Sequence, residues 1–205
     1  MKKVVLFAFS VLLAFSAFSQ KGVFDNAFYI KAGYAFPGGN LKDMEVVTAG
    51  AQFEVGTIFY INALKLPENM KLGIDATYIS ISGYANRKQA MNENKTDSYF
   101  RAGAKIGPCF SYNFAGNWIG DVFVKLYPHS FIMGEHKYNE YSAANQTKLG
   151  ASMGLNIRYK ALVVGYEFIS GKYDFTHPES AGDMILDKNV SIKIPTSILS
   201  IGVKF

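Results

Sequence analysis

The sequence predicts an all-β fold, an eight-stranded antiparallel up-and-down β-barrel that crosses a membrane. Three observations carry this expectation. Eight segments alternate apolar and polar side chains with the two-residue period of a strand, each near the roughly 9–11 residues that a tilted membrane strand needs. Their polar face carries charges of both signs interleaved with glycine. The connections between them alternate between short and long, with 62–70 of middling length, the pattern of membrane-spanning barrels.

The first residues read as an export signal. Lys2 and Lys3 precede an apolar stretch from Val4 to Phe18, and Ala17 and Ser19 occupy the small positions of an A-x-A-like site, so cleavage before Gln20 is expected. The run is shorter than the roughly 20 residues of a membrane-spanning helix. This divides the chain into a signal peptide, 1–19, and a barrel domain, 20–205. No Cys follows the cleavage site to carry a lipid anchor, and the single Cys109 permits no internal disulfide.

The strand segments are Phe28–Phe36, Ala51–Ile61, Lys71–Ile81, Tyr99–Tyr112, Ile119–Tyr127, Leu149–Tyr159, Leu162–Ser170 and Thr196–Phe205. One face of each is apolar. It carries Phe28, Ile30, Tyr34 and Phe36 in the first, Leu72, Ile74, Ala76 and Tyr78 in the third, and Leu162, Val164, Tyr166 and Phe168 in the seventh. The other face holds Gln52, Glu54, Lys71, Asp75, Arg101, Lys105, Asp121, Lys125, Arg158, Glu167 and Lys204 among many glycines. A soluble lipocalin-like ligand binder has the same period with its apolar face turned inward. Glycine weakens an exposed strand surface but leaves room for long charged side chains in a narrow lumen, so the polar face is assigned to the interior. Glu54, Asp75, Arg101, Lys105, Asp121, Lys125, Arg158 and Glu167 form the expected barrel-interior polar network, with Glu54 or Glu167 paired to Arg101 or Arg158.

Connections after the fourth and sixth strands are short, whereas 37–50, 82–98, 128–148 and 171–195 are long and polar. Long loops belong on the outside of outer-membrane barrels and short turns in the periplasm, which places both termini in the periplasm. Aromatic residues near strand ends, including Tyr34, Phe36, Phe59, Tyr60, Tyr112, Phe114, Trp118, Tyr127, Tyr159, Tyr173, Phe175 and Phe205, suit girdles at the two membrane interfaces.

The terminal strand, SILSIGVKF, ends on Phe205, which resembles the C-terminal signature that barrel assembly machinery recognises in outer-membrane proteins. With its FYIKAGYAF first strand, the chain from 20 to 205 resembles small eight-stranded outer-membrane barrels of the OmpA-transmembrane and OmpX type. It looks most similar to the "outer membrane protein beta-barrel domain" group, also described as porin-family or PorT-like. The resemblance implies the cell outer membrane of a Gram-negative bacterium, Phe205 as assembly signal, and lipid and lipopolysaccharide as surroundings. Envelope or secretion proteins are further implied partners, through an accessory role in outer-membrane protein secretion.

The residues themselves restrict function. The formal charge falls from +5 to +3 once Lys2 and Lys3 are removed, too mild for nucleic acid. No phosphate-binding Gly loop or Cys/His metal spacing occurs, so no cofactor or metal is expected. Eight strands enclose a lumen that side chains fill, which argues against a wide diffusion pore. A rim-acting lipid-modifying enzyme would have to draw on His129 with Ser130, His136 with Glu140, or Asp174 with His177. Neighbours such as His129 and Ser130 point to opposite faces of a strand, no nucleophile, base and orienter stand at recognisable spacing, and no catalytic residue is assigned. A structural or binding role through the four long loops is the expectation that remains, since recognition sits on loops held by a rigid scaffold. Those loops mix Arg87, Lys88 and Lys95 with Glu93, and Lys172, Lys188 and Lys193 with Asp174, Glu179, Asp183 and Asp187. Acidic residues there would suit divalent cations that bridge lipopolysaccharide.

Overall fold

Ten strands build the chain in a computed structural model that describes residues 24–39, 50–85, 95–137, 140–181 and 184–205. They are β1 (Ala27–Pro37), β2 (Gly50–Tyr60), β3 (Met70–Ala85), β4 (Lys95–Ala115), β5 (Trp118–Lys137), β6 (Glu140–Tyr159), β7 (Leu162–Ser170), β8 (Lys172–Ala181), β9 (Met184–Lys193) and β10 (Thr196–Lys204). Eight of them close into a barrel in the order β1-β10-β7-β6-β5-β4-β3-β2, every pair antiparallel. Among the described residues β8 and β9 pair only with each other. The expected signal peptide lies outside the described residues.

The apolar face points outward. Phe53, Ile74, Phe100, Ile106, Val122, Val124, Leu126, Leu155, Val164, Leu199 and Ile201 are exposed, while Glu54, Asp75, Lys105 and Asp121 on the alternate positions are buried. An antiparallel sheet closed on itself satisfies its backbone bonds internally, the condition for crossing lipid with strands. This excludes the inverted, lipocalin-like arrangement. The aromatic belt holds at the short-turn end, where Trp118 packs against Tyr159 at 4.7 Å and lies 6.4 Å from Phe114. At the other end Tyr34 meets Phe36 edge-on at 4.7 Å. Tyr60, Tyr127 and Tyr173 are instead buried in the lumen, because their parity in the strand puts them on the inner face. Phe175 lies in β8 beyond the described side chains.

Two expected loops are strands. Most of 128–148 continues β5 and β6 as a long paired hairpin, in which Ser130 Oγ and Thr147 Oγ1 meet at 2.9 Å. Most of 171–195 is the β8–β9 hairpin. Above the lipid both faces of a strand meet polar surroundings, so the alternation that marks a membrane strand disappears while pairing continues. A second departure lies in β3. Its inner face is Gly73, Asp75 and Thr77, then Ser80, Ser82 and Tyr84, with Tyr78 and Ile79 both exposed. The register breaks at the same place against both neighbours, between Val55 and Gly56 on β2 and between Thr77 and Ser80 facing β4. This is a β-bulge, one extra residue that shifts side-chain parity; two consecutive residues with apolar surface, Tyr78 and Ile79, accommodate it.

Candidate functional site in the barrel interior and at the long-loop rim

The interior is layered. At the short-turn end Arg158 donates to Asp121 through Nε at 2.6 Å and Nη2 at 2.7 Å, and Nη2 also reaches Tyr60 Oη at 2.6 Å. Ser111 donates to the same carboxylate at 2.5 Å. One layer further in, Lys125 pairs with Asp75 at 2.8 Å, and Tyr29 donates to Asp75 at 2.8 Å while its hydroxyl meets Thr77 at 2.7 Å. The next layer is a chain of four groups. Lys31 pairs with Glu54 at 3.0 Å, Lys105 also contacts Glu54, and Lys105 holds Glu167 at 2.7 Å. Gln52 Nε2 and Ser80 Oγ complete the shell of Glu54 at 2.7 and 3.2 Å.

Four cations and four carboxylates therefore face one another in these layers, every one at most 4% exposed. Buried charges of this kind persist only when paired and hydrogen-bonded. Glycines admit the long side chains against the wall. A Cβ on Gly56 would stand 2.5 Å from the Tyr29 hydroxyl, and one on Gly202 would stand 2.7 Å from Cγ of Lys31.

Arg101 caps the stack toward the long-loop end. It is fully buried, donates to the Ile194 carbonyl at 3.2 Å and to Thr196 Oγ1 at 3.4 Å, and lies within cation–π range of Phe131 and Tyr173. Among the described residues no carboxylate forms an ion pair with it. The expected pairing of Glu54 or Glu167 with Arg101 or Arg158 is thus corrected. The glutamates pair with Lys31 and Lys105 in mid-barrel, while the two arginines sit toward opposite ends, one with Asp121 and one among aromatic rings. Around Arg101, Ala35, Tyr84, Tyr99, Tyr127, Phe131, Tyr173, Ile194 and Ile198 form a buried apolar cluster.

The eight polar residues expected from sequence are all buried in the lumen; seven lie in the ion-paired layers, and Arg101 stands apart from them. Lys31, Tyr29, Tyr60, Thr77 and Ser111 belong to the same contacts but escaped the sequence reading. Lys31 has the inward parity opposite Ile30 and Tyr34, so strict period-two counting finds it; inward tyrosines are indistinguishable from girdle tyrosines by composition.

His129 faces the interior, its Nδ1 donating to the Tyr127 carbonyl at 2.8 Å and its Nε2 lying 2.7 Å from the Tyr173 hydroxyl. Ser130, on the opposite face, is engaged with Thr147. His129 and Ser130 therefore do not form a catalytic pair. His136, Glu140, Asp174, His177, Glu179, Asp187, Lys188 and Lys95 lie in strands whose side chains are outside the described set, and Arg87, Lys88, Glu93 and Asp183 lie outside the described residues altogether. Among the described residues no His, Cys, Asp and Glu group has metal-binding geometry. Phe205 closes β10, its N–H bonded to the Phe28 carbonyl at 2.8 Å and its ring 6.3 Å from that of Phe28.

A cavity of about 560 Å³ opens at the long-loop end, where the β6–β7 ladder stops at Ala151 and Ser170. Beyond this point β6 continues upward with β5, and the chain leaving β7 turns into the separate β8–β9 hairpin. The gap between them is lined by His129, Lys148, Leu149, Lys172, Tyr173 and Lys193, among others.

A closed eight-stranded barrel with an apolar exterior and a charged, packed interior defines a small membrane-spanning barrel of the outer-membrane type. No family model matches the chain, nor does any curated protein. Solved structures do. The attachment invasion locus protein Ail of Yersinia pestis is similar with a TM-score of 0.54 and 12% identity, over 88% of this chain and 97% of that one. Ail in complex with the heparin analogue sucrose octasulfate gives 0.55 and 13%, over 89% of this chain and all of that one. A major outer membrane protein of Thermus thermophilus gives 0.50 and 10%, over 89% and 100%. At these identities the likeness is one of fold.

Proposed function

We propose that this chain is a non-conducting outer-membrane barrel whose role is structural or binding, exercised at its long-loop end, with both termini in the periplasm. The observation that carries the reading is the interior. Four ion-paired cations and four carboxylates occupy successive layers of the lumen, and a cluster of aromatic rings around Arg101 lies toward the long-loop end. Such a barrel presents surface rather than a passage. A binding role is supported by the similar fold of Ail, solved with a heparin analogue. A catalytic role is disfavoured by the inward, doubly engaged ring of His129.

The test is reconstitution of protein purified from an outer-membrane fraction into planar bilayers. The protein should migrate differently on gels before and after boiling, as a folded barrel does, and should give no steady ion conductance. Stable porin-like conductance from the heat-modifiable form would overturn the closed-barrel reading.

A further inference from the structure

We propose that the cleft between β6 and the foot of the β8–β9 hairpin binds the phosphate group of an outer-leaflet lipid. The inference deepens the binding role and rests on its assignment of the long-loop end to the outer leaflet. Three lysines line this one cavity: Lys148, Lys172 and Lys193. Lys172 and Lys193 are direct cross-strand partners, so their side chains leave the same face of the hairpin, and both are exposed. Lys148 is the cross-strand partner of His129 and approaches from the β6 side.

The height of the cleft selects the anion. On β6 the outward apolar series of Ile157, Leu155 and Met153 ends at Leu149, which is 69% exposed, and is followed by Thr147 and Asn145. On β7 the outward series ends at Phe168 and is followed by Ser170 and Lys172. Lys172 and its partner Lys193 thus stand one step beyond the hydrocarbon-facing belt, at headgroup level, with Leu149 beside the cleft to meet acyl chains, while Lys148, which shares the inward parity of His129, lines the cleft from the lumen side. Basic clusters at this depth recognise anionic headgroups. The volume lies within the roughly 300–1,000 Å³ of small-ligand sites. Glycine keeps it open: a Cβ on Gly150 would stand 3.0 Å from Cε1 of the His129 ring. The three lysines also engage other groups of the chain. An ammonium has three donors and can hold a phosphate oxygen while keeping a second partner.

The test uses the full-length protein in detergent micelles, with bis-phosphorylated lipid A, its dephosphorylated form and inorganic phosphate as separate probes. The phosphorylated lipid should bind stoichiometrically, about fivefold more weakly for each of Lys148→Gln, Lys172→Gln and Lys193→Gln, and roughly a hundredfold more weakly for the triple variant. Retention of the unboiled gel mobility by each variant shows that the barrel is intact. Equal binding of the dephosphorylated lipid, or undiminished binding by the folded triple variant, would overturn the proposal. So would binding of inorganic phosphate without binding of the lipid. Protease cleavage of the hairpin on intact cells tests the underlying orientation separately: a cleaved hairpin keeps it, whereas protection in cells with cleavage in lysed cells removes the outer-leaflet assignment itself.

Discussion

Lys105→Met removes an ammonium that contacts both Glu54 and Glu167. At 2.7 Å and an effective dielectric of about 20, the gross attraction between Lys105 and Glu167 is about 6 kcal/mol. Desolvation of the buried ions offsets much of it, and what unfolding measures is the cost of leaving a carboxylate uncompensated, about 3–5 kcal/mol. Glu54 keeps Lys31 at 3.0 Å, so the burden falls on Glu167. The double variant Lys105→Met with Glu167→Gln restores a one-to-one balance of Lys31 and Glu54 and should recover most of the loss. Urea unfolding in lipid vesicles, followed by the loss of the fast-migrating unboiled band, measures both. A single-variant loss below about 1 kcal/mol, or a double variant no more stable than the single, would refute the argument that mutual compensation holds these charges in the lumen.

Tyr29→Phe takes a donor from Asp75 and a partner from Thr77 and should cost about 1–3 kcal/mol in the same assay. Gly107→Ala places a Cβ 2.0 Å from the Val124 carbonyl oxygen; such overpacking should cost roughly 1–3 kcal/mol or more, visible as a smaller heat-modifiable fraction. Cys109 is buried beside Ser111 and should resist maleimide in the folded barrel but label fully after boiling. Equal labelling rates in the two states would place the thiol elsewhere.

Much of the barrel is written in two-residue periodicity, because lipid outside and charge inside sort alternate side chains so strongly. That contrast ends with the hydrocarbon. The upper halves of β5 and β6 and the whole β8–β9 hairpin have no such pattern and read as loops. The β3 bulge is hidden for a related reason, since Tyr78 and Ile79 both tolerate lipid and no misplaced charge flags the change of parity. Inward polar positions were legible one by one, but their partners were not. Pairing across a lumen depends on strand order, register and tilt together, so lysines hold the glutamates that charge alone assigned to arginines. The basic cleft is illegible in sequence because Lys148 comes to line one cavity with Lys172 and Lys193 only where one ladder stops and another begins.

The barrel wall has unequal height. The pairs among β4, β5 and β6 run far longer than the nine residue pairs that join β1 to β10. That short seam joins opposite ends of the chain, with Tyr29 facing Lys204, so its closure carries the largest loop entropy of the strand pairings among the described residues. Assembly therefore has a natural direction: the tall central hairpins can form locally, and the circle shuts last at β1 and β10. Mechanical or thermal opening should run the same path backward, with the seam parting first and the tall side of the wall remaining as a curved, half-open sheet.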